Sequence, residues 1–171
     1  MNEVQFMPLH IAVLTVSDSR TEQDDKSGNL LCECVGEAGH KLAGRRIVPD
    51  DRYELRAVVS QWIADENVNV VITTGGTGIT GRDITPEALQ PLFDRPIDGF
   101  GELFRQVSFE DIGAATIQSR ACAGIANGTL IFCLPGSTGA CVTAWERILL
   151  SQLDRRTRPC NFAMLVERFR E

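Results

Sequence analysis

Short apolar runs alternate with amphipathic stretches through the first half of the chain. Almost every residue in His10–Val16 is apolar, which is typical of a β-strand covered on both faces. Residues 41–48 and 68–74 are the next two candidate strands, and the latter is rich in β-branched residues. Between these strands, apolar residues recur at helical spacing around Leu31 and around Leu55. This order of elements predicts a parallel sheet with helices on both faces.

The second half of the chain contains shorter elements. Thr85 and Pro86 predict a helix start, with the threonine as N-cap and the proline in the first turn. Asn127 and Gly128 separate two apolar runs and predict a two-residue hairpin, while a long helix is expected from about Ser137. The predicted fold class is α/β, a three-layer α/β/α arrangement with a mostly parallel central sheet and an antiparallel edge hairpin.

Composition narrows the possible classes of protein. The chain has 171 residues, 43% hydrophobic and 23% charged, with no linker or repeat. We therefore expect a single domain over 1–171, with an ordered core of about 9–153 and a C-terminal tail at 154–171. A formal net charge of −6 argues against nucleic-acid binding. Because no apolar run suits a membrane helix and no signal peptide is recognised, we expect a cytoplasmic protein without membrane contact.

The six cysteines are expected to be reduced, buried thiols that pack as small hydrophobic side chains. The chain contains no C-x-x-C motif. Cys32 and Cys34 are two residues apart in a helical pattern, so they cannot complete one metal site together. Neither His10 nor His40 lies beside a nucleophile motif, which argues against a serine hydrolase. The sequence therefore predicts no zinc site and no disulfide.

Small, hydroxylic, glycine-rich and acidic residues follow four of the candidate strands. Ligands of open α/β sheets bind beyond the carboxyl ends of the strands, so these loops are expected to share one rim. Glycine lets backbone N–H groups approach a phosphate closely, and a following helix N-terminus favours anions. The loops therefore predict a phosphorylated ligand held with a metal ion, although each alone could be a tight turn. They comprise residues 17–20, 49–51, 75–83 and 135–139.

Asp50 and Asp83 are the candidate metal ligands, because both follow strand ends and carry hard oxygens. Mg²⁺ prefers one or two carboxylates together with substrate phosphates. Three alternatives stay open: Asp51 could replace Asp50, Asp83 could cap a turn, and Asp50 could be a solvated loop residue. The segment 76–81 satisfies G-x-G-x-x-G, but no helix begins inside it, so the dinucleotide fingerprint is not met.

Three segments carry a resemblance to a known family. Residues 73–78 read TTGGTG, residues 82–88 read RDITPEA, and residues 134–137 read LPGS. With this spacing the chain resembles the MoaB/MogA family of molybdenum cofactor biosynthesis from Ile11 to about Phe162. The MoaB branch is the most similar, on the segments 27–28, 47–50, 99–102, 118–120 and 157–162.

The resemblance implies a molybdopterin-binding fold and a homo-oligomer, a trimer or a hexamer. The implied reaction uses Mg-ATP to adenylylate molybdopterin, giving adenylyl-molybdopterin and pyrophosphate. Asp83 and Asp50 would be the catalytic residues and would hold Mg²⁺. The implied residues for substrate and nucleotide binding are Ser17, Asp18, Ser19, Gly75, Gly76, Thr77, Gly78, Thr85, Pro135, Gly136 and Ser137.

Two other functions remain open. The first is a non-catalytic molybdopterin carrier or chaperone of the same pathway, and the second is a scaffold for other proteins of that pathway. ATP-dependent release of pyrophosphate would separate the enzyme from the carrier. For subunit contacts, the candidates are the apolar side chains of Phe100, Leu103 and Phe104. The arginine-rich tail is expected to be a solvated face or a further subunit contact.

Overall fold

Six strands form one sheet in the computed structural model, which describes residues 4–171. Their order across the sheet is β2-β1-β3-β6-β5-β4. The strands β1, β2, β3 and β6 are parallel to their neighbours in this group, whereas β5 is antiparallel to both β6 and β4. The bounds are β1 His10–Val16, β2 Lys41–Val48, β3 Val70–Thr74, β4 Arg95–Pro96, β5 Cys122–Ala126 and β6 Thr129–Leu134.

Helices cover both faces of this sheet, so the predicted three-layer α/β fold is confirmed. Successive strand residues point to opposite faces, and the core is divided accordingly. Ile11 and Val13 pack under α1, α4 and α5, whereas Ala12 and Leu14 pack under α2 and α3. The bounds are α1 Lys26–Glu37, α2 Arg52–Ala64, α3 Thr85–Leu89, α4 Asp98–Ile112, α5 Thr138–Ala144 and α6 Leu150–Gln152, with a π-helical turn at Trp145–Leu149 joining the last two.

Local signals in the sequence explain most of the turns and helix starts. Asn127 and Gly128 both have positive φ, 47° and 79°, as a hairpin with a primed turn requires. Asp25, Asp51 and Ser137 each cap the helix that follows by accepting backbone hydrogen bonds.

Thr85 does not cap α3, so that expectation is wrong. The helix begins at Thr85 itself, and no side chain caps it. The hydroxyl of Thr85 instead donates to the carbonyl of Gly75 at 2.8 Å. The hydroxyl therefore serves a tertiary contact rather than its own helix.

The cysteines and the C-terminal segment differ in part from expectation. All six thiols are free, but Cys160 is exposed and only Cys133 and Cys141 are fully buried.

Beyond residue 153 the chain packs back on the core, where the ring of Phe162 lies 5.8 Å from that of Phe132. Four of the five arginines there are exposed, and Arg155 is half-buried.

Two of the three apolar side chains considered for subunit contacts belong to the core. Phe100 and Phe104 are buried, because α4 turns them towards the sheet, whereas Leu103 is exposed. Within residues 4–171, every helix is too short or too polar to cross a membrane.

Candidate functional site

The four predicted loops meet at one edge of the sheet, because the four parallel strands all end there. The backbone N–H of Gly75 donates to Leu134 O at 3.0 Å, and that of Ser17 donates to Val48 O at 2.9 Å. The carboxylate of Asp18 accepts from the backbone N–H of Asp50 at 3.0 Å. The sheet therefore brings together segments that are far apart in the sequence.

The loop after β3, residues 75–83, is called the glycine loop here. At its start the backbone has a conformation that only glycine adopts without strain. Gly75 and Gly76 have φ angles of 107° and 69°. A Cβ on Gly75 would lie 2.3 Å from Val16 O, and a Cβ on Gly76 would lie 2.4 Å from the hydroxyl oxygen of Thr85. Both close contacts show that the loop is packed tightly against its supports.

Thr85 acts through this loop rather than at a ligand surface. Its side chain is fully buried, its hydroxyl donates to Gly75 O, and its backbone N–H donates to Gly76 O at 3.0 Å. The sequence placed Thr85 among the binding residues, but the structure gives it no open face. It is a positioning residue for the glycine loop.

A cavity of about 280 Å³ is lined by both the glycine loop and the loop after β6. Six of the predicted site residues line it: Thr77, Gly78, Asp83, Pro135, Gly136 and Ser137. The opposite wall comes from α4, the turn after it and α5, and consists of Phe104, Ser108, Ile112, Gln118, Ser119 and Ala140. A ligand with one anionic end and one flat, partly apolar end would match these two walls.

The loops after β1 and β2 lie on the same rim but do not line this cavity. The hydroxyl of Ser17 accepts from the backbone N–H groups of Ser19 and Arg20, so it shapes its own turn. Arg20 reaches across and donates to Gly136 O at 3.3 Å. Ser17 and Ser19 thus shape the rim, and the bridge to the β6 loop is made by Arg20.

The carboxylate of Asp83 is held by its own loop. It accepts from the backbone N–H and the hydroxyl of Thr80, at 2.9 and 2.7 Å. Burial by itself would raise the pKa of Asp83, but these bonds and one from the backbone of Gly78 outweigh it and lower the pKa. The side chain is therefore an oriented anion at the cavity wall.

Asp50 shows the opposite behaviour. Burial, followed by the charge of Asp18, raises the pKa of Asp50, and the charge of Asp83 adds to this effect. Asp18 itself is paired with Arg82, whose cation compensates only part of the repulsion. Burial and the charges of two other carboxylates therefore favour the protonated form of Asp50, and a nearby cation would favour its anion.

The donor set fits a magnesium ion that is shared with a phosphorylated ligand. Among residues 4–171, no three His, Cys, Asp or Glu side chains converge to hold a metal alone. Asp50 and Asp83 would supply two hard oxygens, and Mg²⁺ commonly completes such a shell with water and phosphate oxygens.

Arg120 supports the glycine loop from outside the 280 Å³ cavity, and the loop motifs in the sequence do not indicate it. Its guanidinium donates to Gly78 O at 2.7 Å and to Asp83 O at 2.8 Å, and it also pairs with Glu87. These bonds fasten the glycine loop to the start of α3. Because Arg120 is 37 residues beyond Asp83, no local spacing could have indicated the contact.

A buried carboxylate supports the rim from below. Asp25 accepts from the hydroxyl of Thr15 at 2.5 Å and from Arg45 at 3.2 Å, and its own exposure is 0%. Two residues further along the chain, the hydroxyl of Ser27 donates to Gly136 O at 2.8 Å. The N-terminus of α1 therefore ties β1 and β2 to the loop after β6.

A larger cavity of about 790 Å³ lies beside α4 and β5. It shares Ser119 with the smaller cavity but contains none of the loops at the carboxyl ends of the parallel strands. We assign the candidate site to the smaller cavity, because there the glycine loop, the carboxylate of Asp83 and the β6 loop converge.

Comparisons with known proteins agree with this architecture. A family model described as "Probable molybdopterin binding domain" matches residues 12–155. Molybdenum cofactor biosynthesis protein B of Escherichia coli K12 is 60% identical over 158 residues, which cover 92% of this chain and 93% of that protein.

Two crystal structures are similar to the fold. Molybdenum cofactor biosynthesis protein B gives a TM-score of 0.84 at 45% identity, covering 86% of this chain and 92% of that one. The tungsten cofactor synthesizing protein MoaB of Pyrococcus furiosus gives 0.81 at 38% identity, covering 96% and 98%. The resemblance read from the sequence is confirmed.

Proposed function

Since the chain belongs to the molybdopterin-binding family of molybdenum cofactor biosynthesis proteins, we propose that it adenylylates molybdopterin with Mg-ATP. One observation carries the proposal. The glycine loop and the β6 loop lie side by side and line one cavity, with the oriented carboxylate of Asp83 in its wall. Asp50 is near enough for the charge of Asp83 to raise its pKa.

The chemistry needs little proton transfer. A terminal phosphate oxygen of molybdopterin attacks the α-phosphorus of ATP, a new phosphorus–oxygen bond forms, and the bond to the β-phosphate breaks. Pyrophosphate leaves with that electron pair. Because the attacking group is already an anion, the protein must mainly position the two phosphates and neutralise their charge. A site of glycines, hydroxyls and carboxylates suits this task.

The residues of the chain divide the work. The glycine loop would receive phosphate, while the wall containing Phe104 and Ile112 would receive the ring system of the pterin. Asp50 and Asp83 would hold Mg²⁺, which supplies charge neutralisation when bound. Arg120 and Thr85 would keep the loop in its binding conformation.

We also propose a homo-oligomer, a trimer or a hexamer. Two large apolar side chains outside the lining of the 280 Å³ cavity are open to solvent: Phe109 at 58% and Ile117 at 81% exposure. Burying them between copies would be favourable. Sedimentation equilibrium on the purified chain would test this. A monomer at micromolar concentration would contradict it.

The adenylyl-transfer proposal is tested by pyrophosphate release from ATP, Mg²⁺ and purified molybdopterin. Asp83→Asn keeps the shape and an acceptor oxygen for Thr80, so we expect molybdopterin binding to persist while turnover falls about 100-fold or more. Glu33→Gln, an exposed change on α1, is the charge-matched control and should be fully active. Full activity in Asp83→Asn would remove its catalytic role.

The same assay separates the enzyme from a carrier. Molybdopterin binding by the unaltered chain without any pyrophosphate release would favour the non-catalytic carrier or chaperone. A cytoplasmic location, with ATP and other proteins of the pathway as partners, belongs to the same proposal.

A further inference from the structure

Two cysteines face each other across the antiparallel edge of the sheet. Cys122 on β5 is the direct register partner of Cys133 on β6. Directly paired residues of antiparallel strands point to the same face, with Cα atoms about 4.5–5.5 Å apart. That separation lies within the range of about 4.4–6.8 Å that a disulfide requires. The Cα separation is therefore compatible with a disulfide.

The two thiols differ in access and in charge environment. Cys133 is fully buried, whereas Cys122 is half-buried and lines the 790 Å³ cavity together with Arg105 and Arg120. The neighbouring thiol of Cys133 lowers the pKa of Cys122, and Gln90 and the two arginines act in the same direction against burial. The pKa of Cys133 is raised well above its usual value, so that thiol keeps its proton.

We propose that Cys122 is a thiol-modification site for small hydroperoxides that enter this cavity, with Cys133 as the resolving thiol. Neither the catalytic site nor the proposed adenylyl transfer uses these residues. The other four cysteines lack this combination. Cys141 is buried, and Cys160 is exposed without a partner thiol among residues 4–171. Cys32 and Cys34 are half-buried, and burial raises the pKa of both.

The reaction proceeds in two balanced steps. The thiolate sulfur of Cys122 attacks one peroxide oxygen, a sulfur–oxygen bond forms, and the oxygen–oxygen bond breaks. The leaving oxide takes up a proton, and the sulfur becomes a sulfenic acid. The sulfur of Cys133 then attacks that of Cys122, the sulfur–oxygen bond breaks, and hydroxide leaves as water with the proton of Cys133. In sum, two thiols and hydrogen peroxide give one disulfide and two waters.

The test uses the full chain, reduced and then freed of reductant. It is treated with hydrogen peroxide, quenched with N-ethylmaleimide at set times, and digested with chymotrypsin. Cleavage after Phe132 separates the two cysteines, so a disulfide appears as two peptides that are joined until reduction. We expect the 122–133 bridge, with free Cys122 lost about tenfold faster than free Cys160. A dithiol reductant should restore both thiols.

Variants distinguish the partners. Cys133→Ala should leave Cys122 as a sulfenic acid that dimedone labels, Cys122→Ser should abolish the bridge, and Cys160→Ser should change nothing. The unaltered chain keeps the test decisive if Cys133→Ala does not fold. Loss of Cys160 as fast as Cys122, or oxidation of Cys122 beyond the sulfenic acid without any bridge, would overturn the proposal.

Discussion

Replacing the buried carboxylate of Asp25 by its neutral amide should weaken the fold measurably. Asn has the same shape, and its oxygen can still accept from the backbone N–H of Gly28, which lies 3.0 Å from Asp25. What Asp25→Asn removes is the charge that faces Arg45 and Arg20, together with the short bond from Thr15.

The loss in the free energy of unfolding on Asp25→Asn depends on how exposed the partners of Asp25 are. The Arg45 side chain is 20% exposed and that of Arg20 is 35% exposed at 3.5 Å, so the Arg20 contribution is largely screened. The bonds from Thr15 and Arg45 to a buried charge dominate, and together they amount to about 3 kcal/mol. For a chain of this length that corresponds to a fall in Tm of about 6–12 °C.

The effect should also depend on pH. Burial would raise the pKa of Asp25, but the bonds from Thr15, Gly28 and Arg45 outweigh it and lower the pKa below its ordinary value of 3.8. The stabilisation is therefore complete above that ordinary value and is lost as pH falls through the lower folded-state value. The difference between the two proteins should shrink only under strongly acidic conditions.

Urea unfolding of both proteins at pH 7, 5 and 3.5 measures this directly. Glu33→Gln, with the same charge change at an exposed position of the same helix, should alter the free energy of unfolding by less than about 0.5 kcal/mol. A loss below about 1 kcal/mol in Asp25→Asn at pH 7, or a loss that grows towards acid, would refute the reasoning.

Three further predictions concern the rim. Gly75→Ala should lower the free energy of unfolding by at least about 2 kcal/mol, because Gly75 has a positive φ and an added Cβ would meet Val16 O. In the control Gly139→Ala, where the space is open, urea unfolding should show a change in that free energy of less than about 1 kcal/mol. Arg120→Lys keeps the charge but loses the planar guanidinium that donates to Gly78 O and Asp83 O, so kcat for the proposed adenylyl transfer should fall about tenfold in steady-state assays. An unchanged kcat would show that these two hydrogen bonds do not position the glycine loop for the reaction. Asp18→Asn removes a charge that raises the pKa of Asp50, so the acid limb of the pH–rate profile should move to lower pH, and an unmoved limb would exclude that coupling.

Short sequence patterns predicted those elements whose conformation depends on neighbouring residues. The hairpin at Asn127 and Gly128 follows from two residues that tolerate positive φ, and the strand His10–Val16 follows from an apolar run that needs cover on both faces. Thr85 shows the limit of such signals. Its sequence context is that of an N-cap, but its hydroxyl donates a hydrogen bond to the carbonyl of Gly75 instead.

The sequence by itself determined the α/β class, the family and the four loops that share a rim, because alternating periodicity and short motifs encode them directly. Only the tertiary structure decided which loops line the cavity, that burial and the charges of Asp18 and Asp83 raise the pKa of Asp50, and that Arg120 fastens the glycine loop. It also paired Cys122 with Cys133. These contacts join residues that are distant in the chain, and strand order and register, rather than spacing, set their distances.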